Sequence, residues 1–182
     1  MIEYAVVRSR RKTIAIQISP AGNITVRCPA RMSQREIRQF VESKAGWITA
    51  HLNRIAQEPV LPPFSESQLQ EMVQWAKDTL PERVDFWAAK AGVTYRRITV
   101  RRQHTRWGSC SSKGSLSFNC LLALVPEEVL DYVIVHELCH RKQMNHSPAF
   151  WSEVARLLPE YPQAKAWLKE KGVSLISRLP EP

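Results

Sequence analysis

An α+β fold is what this sequence predicts, on three observations. An early stretch carries apolar residues at every second position, several segments carry them at helical spacing, and a second alternating pair precedes a helix that is apolar nearly all round.

The elements follow in order. In "TIAIQIS", Ile14, Ile16 and Ile18 alternate with small or polar residues, and "NITVRCP" follows after "PAG", which predicts a hairpin across a Pro/Gly turn. Ser33 and Glu36 form a capping-box pair ahead of Ile37, Phe40, Val41, Ala45, Ile48, Leu52 and Ile55, so one amphipathic helix is expected to end near Ile55. "QEPVLPPFSES" is rich in proline and serine and reads as a linker. It separates an N-terminal strand and helix module, residues 1–57, from a second region, residues 66–182.

Leu69, Met72, Val73, Ala76 and Leu80 predict a helix that Pro81 kinks or restarts before "ERVDFWAAKAG" ends it at glycine. Strand alternation returns in "RRITVRR" and in "GSLSFN", with "SSKG" as the turn before the latter. "VPEEVLDYVIVHELCHRKQ" opens with Pro126 at a first helical position and with Glu127 and Glu128 in the first turn, where the helix dipole favours acids. Its middle is apolar on most sides, which predicts burial in the core.

Composition narrows the partners. The chain has 182 residues, 44% hydrophobic and 24% charged, enough for one compact domain with an N-terminal extension and too apolar for a disordered chain. Apolar runs fall short of a membrane span and the start lacks a signal-peptide centre, so a cytoplasmic protein with no membrane partner is expected. Cys28, Cys110, Cys120 and Cys139 are scattered without a C-x-x-C pair, as reduced core thiols are. A formal charge of +9 favours anionic partners: phosphates, nucleotides or nucleic acid. "RSRRK", from Arg8, is the most suggestive patch for nucleic acid, with a solvated turn as the simpler reading.

The chemistry concentrates in "VIVHELCHRKQMNHSPAFW". His136 and His140 stand four apart on one helix face, where both imidazoles reach a single ion. Glu137 lies about 100° round the helix from His136, placed to accept a proton from water without being a ligand. This H-E-x-x-H arrangement is that of zinc hydrolases, and one Zn²⁺ is the expected cofactor, with other divalent metals as alternatives.

A catalytic zinc takes three protein ligands. His146 is the first candidate for the third, which requires the chain to leave the helix after His140 and turn back, with Asn145 as the residue that tolerates a left-handed turn. Ser147 then caps a new helix with Pro148 at its first position. Glu153 on that helix is the rival third ligand. The metzincin pattern fits poorly, because Gln143 occupies its glycine position and no later Met-turn is evident.

"RWGSCSSKG", "YVIVHELCH" and "NHSPAFW" in this order resemble the YgjP-like family of metal-dependent hydrolases, and the likeness extends to the early hairpin and to "LLPEYPQAKAWL". The resemblance implies a small zincin-like α+β metallohydrolase domain with metal ligands His136, His140 and His146 and catalytic base Glu137. It also implies pyrophosphohydrolysis of nucleoside triphosphate, UTP in particular, to nucleoside monophosphate and pyrophosphate. The alternative is a zinc metallopeptidase acting on peptides, nucleic-acid-associated as SprT-like proteases are. The arginines around "WGSCS" bear on this choice, since guanidinium groups clamp phosphate oxygens. Arg97 and Arg101 share one strand face, Arg96 and Arg102 the other, and Arg106 adjoins the motif as the candidate substrate-binding residue. The simpler reading is an edge strand whose charges discourage pairing.

Overall fold

The computed structural model describes residues 2–19, 21–57 and 61–180, and the described residues fall into two compact units that divide between Leu61 and Pro62. Among the described residues, seven helices and two three-stranded sheets make a mixed α+β fold. No described helix is long and apolar enough to cross a membrane.

In the first unit, β2 (Ala15–Ile18) and β3 (Ile24–Pro29) form the expected antiparallel hairpin. Gly22 takes a positive φ of 80° in its turn, a region that only glycine enters cheaply. A further strand, β1 (Ala5–Ser9), pairs parallel with β3 and puts β3 in the centre. The alternation of β3 buries Ile24, Val26 and Cys28 against Ile37, Val41 and Ile48 of the helices. The single helix expected to end near Ile55 is two, α1 (Gln34–Ser43) and α2 (Ala45–Gln57). Ser43 bonds back to the Phe40 carbonyl and Lys44 leaves helical geometry, so local side-chain bonding and Gly46 win over continuous periodicity. The Ser33 and Glu36 capping box is present at the start of α1. Arg8 of the basic "RSRRK" run donates to the carbonyls of Ala30 and Met32, tying down the β3–α1 loop. The linker residues 58–60 lie outside the described residues.

The second unit begins with α3 (Glu66–Ala91), capped by a box between Ser65 and Gln68. Pro81 does not restart it: the helix runs unbroken through Pro81, with Ala76, Leu80, Val84 and Trp87 keeping one face buried on both sides of the proline. That burial outweighs the lost backbone bond, each large apolar side chain contributing about 1.5–3 kcal/mol. A left-handed Gly92 stops it. The second sheet has order β4-β6-β5, with β4 (Arg97–Arg101) parallel and β5 (Gly108–Cys110) antiparallel to the central β6 (Ser115–Asn119). A 3₁₀ turn, Cys120–Leu124, leads to α4 (Glu127–Cys139), followed by α5 (Pro148–Leu157), α6 (Tyr161–Glu170) and α7 (Gly172–Ile176).

As its composition predicts, α4 lies in the core: Ile134, Val135 and Leu138 are fully buried with Leu80, Val84, Phe118 and Phe150. Asp131 fixes its position against α3 by accepting from the Arg83 guanidinium at 2.5 Å and from Trp87 Nε1 at 2.7 Å. The inner face of the second sheet, carried by Ile98, Val100, Leu116 and Phe118, closes the same core. The segment that carries the histidines is thus held on a rigid platform.

Candidate metal centre

Three elements deliver the site: the end of α4, the turn after it and the first residues of α5. Helix α4 ends at Cys139 and His140 caps it. The turn closes through backbone bonds from Arg141 to Leu138 and from Lys142 and Gln143 to Cys139. No described residue other than glycine has a positive φ, so Asn145 is not left-handed; tight carbonyl bonding off the helix end reverses the chain instead. Pro148 starts α5 as expected, while Ser147 occupies the cap position without a side-chain cap bond.

The turn brings ligand atoms of His136, His140 and His146 within 4.8 Å of one another. His136 Nε2 and His146 Nε2 lie 3.0 Å apart. His140 Nδ1 is 3.0 Å from the Gln143 carbonyl. That oxygen only accepts, so Nδ1 carries the proton and Nε2 keeps its lone pair. Burial, and then the neighbouring His140, His146 and Lys165, push the pKa of His136 down to about 3, which keeps its ring neutral. Phe150, fully buried, packs against all three rings, with centroids at 4.9, 4.6 and 4.8 Å from His136, His140 and His146. Trp151 stacks on His146 at 5.8 Å and on Tyr161 at 5.5 Å. Thus α5 supplies the wall that orients the ligands.

Glu153, the rival third ligand, does not join this cluster. It accepts from Arg156 at 2.7 Å and Lys142 at 2.5 Å, and these bonds hold its pKa down to about 2. The carboxylate pins the turn to α5.

Glu137 is buried and faces the sheet. Its Oε2 and the Nδ1 of His136 are buried without any hydrogen-bond partner in the protein. Desolvation, opposed in part by Arg106, raises the pKa of Glu137 to about 8. Converging imidazoles and an unpartnered carboxylate are a donor set suited to a divalent cation, so the residues present fit the metal.

Two features were not legible in the sequence. "WGSCS" contains strand β5, and a Cβ at Gly108 would lie 2.7 Å from both Cγ and Oε1 of Glu137. Gly108 is therefore a slot for the carboxylate; a glycine within a short strand is the signal of such close approach. Fully buried Asn119 is the second. Its Nδ2 donates to the carbonyls of Gln103 (2.7 Å) and Arg106 (3.1 Å), and its Oδ1 accepts from Leu121 N. This holds the loop that presents Arg106.

The resulting cleft is about 450 Å³, with Arg106, Gly108, Ser109 and Cys110 on the strand side and Met144 and the histidines opposite. Arg106 lines it with no carboxylate at ion-pair distance among the described residues. Arg102 instead pairs with Glu66, both contacts at 2.8 Å.

The model of the family described as YgjP-like, metallopeptidase domain, matches residues 12–73 and 64–171. No curated protein matches. Among solved structures, the chain is similar to the metallopeptidase zymogen of Pyrococcus abyssi abylysin, at 20% identity and TM-score 0.47, over 52% of this chain and 96% of that one. It is also similar to the metallopeptidase zymogen of Methanocaldococcus jannaschii jannalysin, at 23% identity and TM-score 0.44, over 50% and 93%.

Proposed function

The chain belongs to the YgjP-like metallopeptidase-domain family of metal-dependent hydrolases, and from that premise we propose that it is a zinc-dependent hydrolase whose favoured substrate is a nucleoside triphosphate, UTP in particular. His136, His140 and His146 would hold one Zn²⁺ and Glu137 would act as the base. Bound there, the cation supplies Lewis acidity, which acidifies water and polarises the bond to be cleaved.

The observation that carries the hydrolase reading is the placement of Glu137, buried, unpartnered at Oε2 and beside the three imidazoles. Next to the three imidazoles, that carboxylate is placed to take a proton from a water held at the histidine cluster. For a triphosphate, the water oxygen bonds to the α-phosphorus while the bond to the α–β bridging oxygen breaks. One water proton passes to Glu137, the other stays on the new phosphate oxygen, and the electron pair leaves with pyrophosphate. Arg106, with no carboxylate at ion-pair distance among the described residues, lines the cleft and supports a phosphate over a neutral amide.

The second reading, a metallopeptidase, is favoured by one specific observation. Among the described residues β5 has an unpaired edge, and it lines the cleft, so an extended peptide could add to it as a further strand.

The test is to incubate zinc-loaded protein and its Glu137→Gln variant with UTP, the other nucleotides and an unfolded protein. The wild type is expected to release pyrophosphate and the variant to lose roughly 10²–10⁴-fold in rate. Pyrophosphate release that survives the substitution overturns the mechanism. Peptide cleavage without nucleotide turnover replaces the favoured substrate with the second reading.

A further inference from the structure

The outer face of the second sheet is built unlike the outer face of an ordinary solvated sheet. In register across the strands, Arg97 pairs with Ser115, and Thr99 with Ser117, which in turn pairs with Ser109. Arg101 extends the same face at the next step along β4. Small hydroxyl side chains thus floor the face, and arginines stand along one side.

The result is a trough of about 850 Å³ that no carboxylate lines. It shares Thr105, Arg106, Ser109 and Cys110 with the metal cleft, so the two are continuous over the free edge of β5. Among the described residues, the side chains of Arg97 and Arg101 have neither a hydrogen bond nor an ion pair, whereas Arg102 is neutralised by Glu66.

Edge protection accounts for the charges on β4, itself an edge strand, and not for the hydroxyl floor without carboxylates beside them. Charges that discourage strand addition need stand only on the edge strand. Here the central strand contributes Ser115 and Ser117 to the same surface, which leaves room between the arginines and the β5 edge. Arg97 and Arg101 are about 13 Å apart along the strand, and their long side chains can converge toward one chain of phosphates entering from the cleft.

We propose that this trough is a phosphate-chain subsite: with Arg106 at its mouth, Arg101 and then Arg97 receive the terminal phosphates that leave as pyrophosphate, while the α-phosphorus lies at the histidine cluster. The assignment rests on the phosphoanhydride reading given above. It also fixes the polarity of the substrate, placing the nucleoside away from the trough, for which Trp107, Tyr132 and Leu168 line a smaller hollow of about 220 Å³ that adjoins the cleft at Gly108, His136 and Glu137.

Two measurements on zinc-loaded protein test it, with Arg101→Ser as the variant and Arg96→Ser as a control of equal charge that does not line the trough. In UTP kinetics, Arg101→Ser is expected to raise KM about tenfold with kcat within about twofold, since a charge-assisted contact is lost, and Arg96→Ser to leave both unchanged. In calorimetry, the magnesium complex of tripolyphosphate is expected to bind the wild type and Arg96→Ser alike and Arg101→Ser about tenfold more weakly. UTP turnover with KM unmoved by Arg101→Ser overturns the subsite and leaves the proposed function standing. Tripolyphosphate binding lost in Arg101→Ser, with no UTP turnover by the wild type, supports the subsite and removes UTP as substrate. Equal tripolyphosphate affinity in all three proteins, or equal losses in both variants, overturns the subsite.

Discussion

His136, Glu137 and His140 carry their chemistry in their spacing, because four residues on a helix put two imidazoles over one another and leave the glutamate a quarter-turn away. His146 was legible from its distance to His140 together with Ser147 and Pro148, which restart a helix and so force a turn. The partner of Glu137 was not legible. Gly108 stands 29 residues away and meets it only because β5 pairs antiparallel with β6, a long-range register that local periodicity does not encode. Its role makes a sharp prediction. Gly108→Ala drives a methyl into the Glu137 carboxylate, which must swing out of its slot beside the imidazoles into the cleft, so activity should fall at least about 10²-fold. The overpacking should also cost about 1–3 kcal/mol of stability. Activity and chemical denaturation of Gly108→Ala check both effects. Wild-type kinetics in this variant would mean that Glu137 need not sit in the slot.

Helix boundaries are less legible in this sequence than the helices themselves. Periodicity continued through Lys44 and so hid the break between α1 and α2, while Pro81 suggested a break that the buried face of α3 overrides. Strands β1 and β5 escaped because β1 is mostly exposed and β5 has only three residues, so neither offers a run of alternation. The turn between α4 and α5 shows how elements cooperate: Glu153 holds Lys142 of the turn and Arg156 of its own helix at once. Because those bonds lower its pKa from 4.5 to about 2, the stabilisation is complete above pH 4.5 and is lost as pH falls toward 2. Glu153→Gln should therefore lower the thermal midpoint by a few degrees at pH 7. The gap from wild type should close between pH 4.5 and 2. A gap that persists at the acid end would mean that packing, not charge, is what Glu153 contributes.

At the scale of the molecule, the unit after Leu61 contains the whole site: the three histidines, Glu137, its glycine slot, the loop of Arg106 and the trough beyond it. The charge of +9 favoured anionic partners without saying where they bind, because composition carries no geometry. The proposed subsite puts that place on the outer face of the second sheet, where register sets Arg97 and Arg101 while the core face of the same strand stays apolar. One ion at three histidines is the centre of the proposed chemistry. The most direct measurement is a calorimetric Zn²⁺ titration of the metal-free protein and of its His146→Ala and Glu153→Ala variants. Binding of one Zn²⁺ per chain is predicted, weakened at least about 10²-fold by loss of a ligand in His146→Ala and unchanged in Glu153→Ala. Full affinity in His146→Ala, or affinity lost in Glu153→Ala, would contradict it.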